Sequence, residues 1–474
     1  MLRRALVSIA LTALGGCVTV GPNFHQPDAP QVAGYAMADD ATPTLTLEPH
    51  AAPAQWWTAF GSDQINGLVD DALAHNQTLA SADAALARAR ANSGAVRGEA
   101  GLQLDAHTSA ERQRVNTAAF GIDGFPNPTI SLYSIGASAS FDFDIFGGQR
   151  RRIESAEAQT LAQSARTDAA YLTLSGDVVM RAIEIASLRA QIAALEQVSA
   201  DGQRTLDLTQ GAVDAGGSPR SAVVTAQAQL AEDQARLPPL RSQLAASRHA
   251  LSLLMGRAPG EWNAPEIDLA TISVPATVPL SMPSELVRRR PDILAAEARL
   301  HAATADVGVA TAALYPQLRL TPDFTLAALD ASNVFNYESS GWMFGPSLTA
   351  PIFHGGALRA QRRGAEAALD GALADYKQTV LAAFTQVADL LSAAAQDQAL
   401  AEAQGRASQA ADENARLANL AYQNGAGSLL SVLDAQRQAQ RARLGAIDAQ
   451  GRLRRDLAAL YVASGTDWRR SSAS

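Results

Sequence analysis

The chain contains an internal duplication whose two copies are offset by 209 residues. This offset aligns identical residues along the repeat: Ala156–Ala158 with Ala365–Ala367, Val178 with Val387, Gly216 with Gly425, Gln229 with Gln438, and Gly256 with Gly465. Each copy joins long Ala-rich stretches, which we expect to be helical, to two segments that alternate apolar and polar residues. A duplication of this form indicates a structural conduit rather than an enzyme built around one active site.

The N-terminus has the form of a bacterial export signal, in which two arginines precede a short apolar run. The sequence Leu14-Gly15-Gly16 then leads directly into Cys17, the only cysteine of the chain. This arrangement resembles the bacterial lipobox, which implies cleavage before Cys17 and attachment of lipid, including palmitate, to that residue. Val18, rather than an aspartate, follows Cys17. This resembles the pattern that sorts lipoproteins to the outer membrane. An ordinary signal peptide with an incidental cysteine is the alternative.

The alternating segments predict four β-strands with one apolar face each, at about residues 101–113, 131–146, 316–328 and 342–353. A soluble β-sandwich with one solvent-exposed face would give the same pattern in a single strand. Four such strands behind a lipoprotein signal favour a membrane barrel instead. Because the smallest membrane barrels need about eight strands, several chains must share one barrel.

The remaining sequence predicts long helices outside the membrane. Gln149–Gln210 and Gly356–Asn424 would each reach on the order of 90 Å if unbroken, far beyond a bilayer of roughly 30 Å. We expect Gly176 and Gly202 to interrupt the first of them and Pro238-Pro239 to bend its return helix. The resulting division is a signal peptide (1–16), a lipid-anchored tether (17–61), a first repeat (62–265), a linker (266–283), a second repeat (284–465) and a tail (466–474).

Composition argues against an enzyme and against a nucleic-acid partner. The net charge of −9 disfavours nucleic acid, and the three arginines at 288–290 do not form a basic patch. The seven histidines are scattered without the spacing of metal ligands. No nucleophile elbow, phosphate loop or dinucleotide fingerprint occurs. We therefore expect no catalytic residues, no metal and no cofactor.

The second copy begins with a distinctive motif, Arg288-Arg289-Arg290-Pro291-Asp292, followed by Leu314-Tyr315-Pro316-Gln317-Leu318. Other matching stretches are Gly21–Phe24, Asp144–Gly147, Pro351–Phe353 and Val432–Arg437. Together they resemble the TolC-family outer-membrane efflux lipoproteins of the NodT type. The resemblance implies a mainly α fold with membrane β-structure, in which three chains share one twelve-stranded barrel and form a helical tunnel in the periplasm of a Gram-negative cell. It also implies a periplasmic adaptor and an inner-membrane pump of the resistance–nodulation–division type as partners.

Two Gly-rich loops lie at equivalent places at the far ends of the helical hairpins. They contain Gly216, Gly217 and Ser218 in the first copy, and Gly425, Gly427 and Ser428 in the second. Glycine permits the positive φ of a helix end, and serine can cap the following helix. Both loops are thus helix turns, and the resemblance adds that they dock the adaptor.

Asp434 lies just inside the second loop, and three copies around an axis would form a ring of carboxylates. Its first-copy equivalent is Thr225, so one carboxylate per chain is expected. The resemblance makes Tyr422 a gate tyrosine and places Ser431 where relatives carry a second Asp, which weakens a charge-locked gate. The alternative is that Asp434 merely caps or solvates a helix.

These patterns predict the passive exit duct of a tripartite efflux pump for drugs, metals or metabolites. A periplasmic coiled-coil scaffold lipoprotein is one alternative, although a scaffold has no reason to keep four apolar strand faces. A type I secretion duct for proteins is another. A cationic run at 149–152, directly after the second strand, is expected to lie at the membrane interface, where anionic lipid heads are available to it.

Overall fold

The computed structural model describes residues 19–30, 32, 34–35, 37, 46–48, 52–116, 121 and 127–465. The signal peptide and Cys17 lie outside the described residues. The chain forms two compact units, one from residues 1–27, 85–163 and 296–376, the other from residues 28–84, 164–295 and 377–474. We call them the strand unit and the helical unit.

Helices account for most of the described residues. They are α1 (Asp63–His75), α2 (Gln77–Glu99), α3 (Gly148–Asp214), α4 (Arg220–Ala235), α5 (Leu237–Leu254), α6 (Pro283–Arg289), α7 (Pro291–Ala312), α8 (Ala357–Gln423) and α9 (Leu429–Ala463). A 3-10 helix at Trp56–Phe60 precedes them. Among the described helices, none combines the length and the apolar character needed to cross a bilayer.

The expected interruption of the first long helix at Gly176 and Gly202 was wrong, because α3 continues through both. Packing explains why. A Cβ on Gly176 would lie 2.7 Å from Cγ2 of Val462, so this glycine lets α3 approach α9 closely. Tertiary packing therefore outweighs the low helix propensity of glycine. Where Pro238-Pro239 was expected to bend the return helix, the structure divides it, since α4 ends at Ala235 and α5 begins at Leu237.

The helical unit is organised around an aromatic cluster. Trp56 stacks on Tyr461, with 5.7 Å between ring centroids, and its Nε1 donates to Oγ of Ser175 at 3.3 Å. Phe60 packs edge-on against Trp56. All three rings are buried, so the cluster joins the segment before α1 to α3 and α9.

The segment 266–283, predicted to be a linker, is packed against this unit. Its strand β4 (Thr277–Pro279) pairs in parallel with β1 (Thr46–Glu48). Ile267, Ile272 and Val278 are buried. In addition, Nε of the buried Arg454 in α9 donates to the carbonyl oxygen of Ile272 at 2.9 Å.

The strand unit contains four antiparallel strand tracks. They comprise β2 (Gln103–Arg114), β3 (Thr129–Phe143), β5 (Gln317–Leu320) with β6 (Asp323–Ala328), and β7 (Ser340–Met343) with β8 (Pro346–Thr349). β3 pairs with β2 on one side and with β5 and β6 on the other, and β7 and β8 pair with β6 and β5. The last two tracks are each divided, the third next to Pro322, which cannot donate to a ladder.

Candidate functional sites

The register of the sheet aligns apolar residues of all four tracks in one row. Ala106 pairs with Ala137, Ala137 with Phe324, and Phe324 with Trp342. The neighbouring row contains His107, Gly136, Thr325 and Gly341. Because successive side chains point to opposite faces, the sheet has one apolar and one polar face. Phe324 and Trp342 are exposed in the single chain, so the apolar face lacks a partner among the described residues.

Both edges of this sheet are free in the single chain. Within the described residues, β2 pairs only with β3, while β7 and β8 pair only with β6 and β5. Exposed edges of this length promote pairing with another chain. In a bilayer, free edge groups have no water partners, so the edges must be paired.

The first described residues of the N-terminal tether, Thr19–Phe24, are fixed within the strand unit. The backbone N–H of Val20 donates to the carbonyl oxygen of Phe146 at 3.1 Å. Arg151 donates to Oδ1 of Asn23 at 2.6 Å and to Oε2 of Glu154 at 2.7 Å. Phe24 stacks on His301 with ring centroids 4.3 Å apart. The tether therefore contacts residues of both repeats within this unit.

The expectation that the cationic run at 149–152 meets lipid was wrong for Arg151. Arg151 is buried beneath the tether, and Arg150 pairs with the carboxylate of Asp144 at 3.1 Å. Burial by itself would raise the pKa of the Glu154 carboxyl. The hydrogen bonds that His301 and Arg151 donate to it outweigh this effect, so that its pKa falls below the usual range. Arg151 thus serves internal contacts, which the cationic pattern alone could not distinguish from a lipid site.

The two hairpin tips have the same backbone structure at the offset of 209 residues. At the first tip, the N–H of Gly217 donates to the carbonyl oxygen of Ala212 at 2.8 Å. At the second tip, the N–H of Ala426 donates to the carbonyl oxygen of Ala421, also at 2.8 Å. Gly216 and Gly425 have φ of 75° and 72°. Each long helix therefore ends in a Schellman motif that requires glycine at the left-handed position.

The tips differ in how the next helix begins. At the second tip, Oγ of Ser428 accepts from the backbone N–H of Ser431 at 3.1 Å, which caps α9. At the first tip, the residue before α4 is Pro219, and no side chain caps the helix. Ser218 is therefore not the cap that its position suggested. Gly427 allows close approach, because a Cβ there would lie 3.1 Å from the nitrogen of Tyr422.

The predicted gate residues lie near the second tip, on both sides of the loop. Tyr422 is half-buried at the end of α8, whereas Ser431 and Asp434 are exposed on α9. The hydroxyl of Ser431 donates to the carbonyl oxygen of Ser428 at 2.6 Å, so it is engaged in the helix start. The carboxylate of Asp434 accepts from Gln438 at 3.0 Å and contacts Arg437 at 3.4 Å. Asp434 is thus partly neutralised within its own helix.

Sequence reasoning missed an equivalence between two helix ends. The side chain of Asn76, between α1 and α2, donates to the carbonyl oxygen of Leu254 at 2.9 Å. Arg290, between α6 and α7, donates to the carbonyl oxygen of Ala463 at 3.3 Å. Leu254 and Ala463 end α5 and α9, and the repeat offset of 209 relates them. The motif at 288–292 therefore contains a side chain that satisfies helix-end carbonyls.

A pair of carboxyls occurs between α8 and α9. Burial is the largest cause, and the hydrogen bond with Asp397 the next, of a rise in the pKa of Asp456 from 3.8 to about 6. The first-repeat equivalents are Ser247 and Leu188, both buried. Only the second repeat therefore contains a titratable pair at this place.

Among the residues that the structure describes, no group of three or more His, Cys, Asp or Glu side chains could hold a metal ion.

Comparison with known proteins gives one consistent result. The family model described as outer membrane efflux protein matches residues 68–257 and 282–466. Outer membrane protein OprJ of Pseudomonas aeruginosa is 31% identical over 478 residues, covering 97% of this chain and 95% of OprJ. Nodulation protein T of Rhizobium leguminosarum bv. viciae is 29% identical, covering 97% and 92%.

A solved structure of the outer-membrane channel OprN superposes with a TM-score of 0.85 at 30% identity, covering 94% of this chain and 99% of OprN. A structure of CusC, whose title mentions transmembrane channel formation, superposes with a TM-score of 0.82 at 26% identity. It covers 94% of this chain and 99% of CusC.

Proposed function

Because the chain belongs to the outer membrane efflux protein family, we propose that it is the outer-membrane channel of a tripartite efflux pump. It provides a passive exit duct for small molecules, and an inner-membrane transporter supplies the energy through a periplasmic adaptor. The observation that carries this proposal is the apolar row from Ala106 to Trp342 across four strand tracks with two free edges. Such a sheet is stable in lipid only after closure with other copies.

Three copies give twelve strand tracks, which closes a barrel in the size range of membrane proteins. The polar face, with His107 and Thr325, then lines the lumen, and the exposed Phe324 and Trp342 face the acyl chains. Cys17 bears the lipid anchor in the same membrane. The tether from Thr19 to Phe24 fixes that anchor against the strand unit.

The hairpin tips supply the gate and the adaptor contact. A ring of three Asp434 carboxylates attracts cations at the narrow end, and Arg437 and Gln438 moderate its charge. Tyr422 and Ser431 flank this ring. The exposed loops with Gly216, Gly217 and Ser218, and with Gly425, Gly427 and Ser428, dock the adaptor through rigid turns whose backbone is the same in both repeats.

The first test is the native mass of the protein extracted from the outer-membrane fraction in mild detergent. Light scattering measures the mass of the protein part independently of the bound detergent. A stable trimer supports the shared barrel. A monomer would overturn the proposal, because four strand tracks cannot close in lipid.

A further inference from the structure

A cavity of about 240 Å³ lies where β3 leads into α3. The end of β3 and the first turn of α3 line one side of it, and the end of α7 with the start of β5 lines the other. All of these residues belong to the strand unit. Apolar side chains of both segments contribute, but the lining also contains Asp142, Asp144, Arg152 and Arg319. The ion pairs among these groups decide which charge is available to a solute.

Both carboxylates of the cavity are already neutralised. Asp142 accepts from Nη2 of Arg319 at 2.9 Å, and Asp144 pairs with Arg150 at 3.1 Å. Arg152 is exposed, and within the part of the chain that the structure describes it forms no ion pair. The cavity therefore has one uncompensated charge in its lining, and this charge is positive.

The cavity lies on the side of α3 that points away from the tether. Successive residues of an α-helix are rotated by about 100°, so Arg152 lies roughly 160° around the helix axis from Glu154. The carboxylate of Glu154 binds His301, whose ring stacks on Phe24 of the tether. In the proposed barrel the tether lies outside, because the lipid anchor that precedes it is in the surrounding membrane. Arg152 therefore points toward the lumen.

The alternation of β3 gives the same orientation independently. Phe141 and Phe143 lie on the apolar face, and Asp142 between them lies on the polar face. Asp142 is directly opposite Arg319 in the register of β3 with β5, so this ion pair lies on the face that lines the proposed lumen. Arg152 lines the same cavity as this pair. Helix rotation and strand alternation thus agree.

We propose that Arg152 forms a binding site for anionic groups on the wall of the duct, which takes small solutes that bear a carboxylate or a phosphate. A guanidinium presents several donors in a planar fork that matches either group, and Gln149 lines the cavity beside it. Three copies form a ring of arginines where the barrel meets the helices. The inference rests on the proposed function and adds a solute class and a specificity-determining residue to that duct.

The arginine ring acts against an acidic background. Asp105 of β2 and Asp323 of β6 both lie opposite Ser138 of β3, on the polar face. Within the described residues neither carboxylate forms an ion pair. The second repeat adds no further cation at the equivalent place, since Gln361 corresponds to Arg152 (361 − 152 = 209). Loss of Arg152 should therefore leave a duct that favours cations.

The first test is the reversal potential of the full-length protein in planar bilayers of phosphatidylcholine under a tenfold gradient of KCl. Arg152→Gln should lower the permeability of Cl⁻ relative to K⁺ by about twofold at about 0.1 M salt, where the potential of a charge reaches roughly 10 Å. Arg152→Lys preserves the charge and should keep the ratio of the unsubstituted protein. Arg363→Gln is the control, because this exposed arginine corresponds to Glu154 on the tether side (363 − 154 = 209).

The second test concerns the solute class. Inorganic phosphate and citrate serve as the phosphate and carboxylate probes, and each is added to the unsubstituted channel and to Arg152→Gln. The unsubstituted channel should be blocked at concentrations about threefold lower, which is the range of a single solvent-exposed ion pair. Arg363→Gln should be blocked like the unsubstituted protein.

The outcomes separate this inference from the proposed function. Channels in which Arg152→Gln conducts with unchanged permeability ratio and unchanged block overturn the inference and leave the duct standing. A shift of the same size in Arg363→Gln, or in Arg152→Lys, also overturns it, because the effect would then not come from a positive charge at this place. A protein that conducts in no variant overturns the proposed function, and the inference with it.

Discussion

The two repeats share the backbone of their tip turns and helix ends but have different side chains at equivalent places. The carbonyl oxygens that end α5 and α9 accept hydrogen bonds from Asn76 in the first repeat and from Arg290 in the second. The amide makes a short local connection, whereas the guanidinium also reaches the carbonyl oxygen of Ala383 and the side chain of Gln386 in α8. The comparison teaches that the helix end is duplicated, while the group that satisfies it is neutral in the first repeat and charged in the second.

The same difference occurs at two further places. Thr225 near the first tip donates to the carbonyl oxygen of Ser221 at 2.9 Å, while its equivalent Asp434 brings a carboxylate. Ser247 in the first repeat corresponds to Asp456, whose pKa is raised to about 6. The helix ends and turns are alike in both repeats, whereas at these two places only the second repeat has a titratable group.

The largest expected effect is the loss of the charged helix-end contact. Arg290→Ala removes the donors to Ala463, Ala383 and Gln386 and should lower the free energy of unfolding by about 3 kcal/mol. Asn76→Ala removes one cross-helix bond and one helix cap and should cost about 2 kcal/mol. Thermal denaturation in detergent compares the two, with Arg290→Lys as the charge-preserving control. Equal losses would contradict the stated difference between the repeats.

The tip turns should respond alike in both repeats. Gly216→Ala and Gly425→Ala each place a Cβ in the left-handed region, at a cost of about 1–2 kcal/mol. Gly211→Ala, inside helix α3, is the control and should stabilise slightly because alanine is the better helix former. Melting temperatures of the three variants provide the measurement. A large loss at only one tip would show that the turns are not equivalent.

Asp434 in the second repeat is predicted to act in the gate, whereas its first-repeat equivalent Thr225 is not. Asp434→Ala should raise single-channel conductance and weaken block by Mg²⁺ roughly fivefold, which corresponds to about 1 kcal/mol of lost attraction. Thr225→Ala, the matched change in the first repeat, should leave both unchanged. Planar-bilayer recordings with and without Mg²⁺ make the comparison. Unchanged block in Asp434→Ala would remove this residue from the gate.

The smallest expected effect concerns pH. Because the pKa of Asp456 is raised from 3.8 to about 6 in the folded chain, its proton stabilises the fold below about pH 4, and this contribution is lost as the pH rises through 6. Solvent screening of this half-exposed pair limits the loss to about 1 kcal/mol or less. Asp456→Asn should flatten the dependence of stability on pH. Melting temperatures at pH 4.5 and pH 7 would test this, with Ser247→Ala as the matched control in the first repeat. If the melting temperature of Asp456→Asn changed with pH as steeply as that of the unsubstituted protein, this carboxyl pair would be excluded as the source of the pH dependence.

Much of the fold was predictable because its signals are long and periodic. The family and the fold class, with long helices and alternating strands, are confirmed. Strand alternation and the 209-residue offset are properties of the sequence itself and need no knowledge of tertiary contacts. They locate the repeats even though the bounds of single elements shift by a few residues.

The remaining features depend on which residues meet in space. Nothing in the run at 149–152 distinguishes the buried Arg151, which binds the tether, from an arginine facing lipid. Gly176 looks like a helix breaker until the closeness of Val462 is known. The roles of Asp434, Tyr422 and Ser431 stay predictions, because a gate is formed by several copies around an axis.

The measurement that tests the central claim most directly is ion conductance of the purified protein in planar bilayers, recorded for the unsubstituted chain and for Asp434→Ala. The account predicts discrete conductance steps in both, with larger steps in the variant because the carboxylate ring is removed. A protein that inserts into the bilayer as a trimer but conducts in neither form would contradict the proposal that this chain forms a duct.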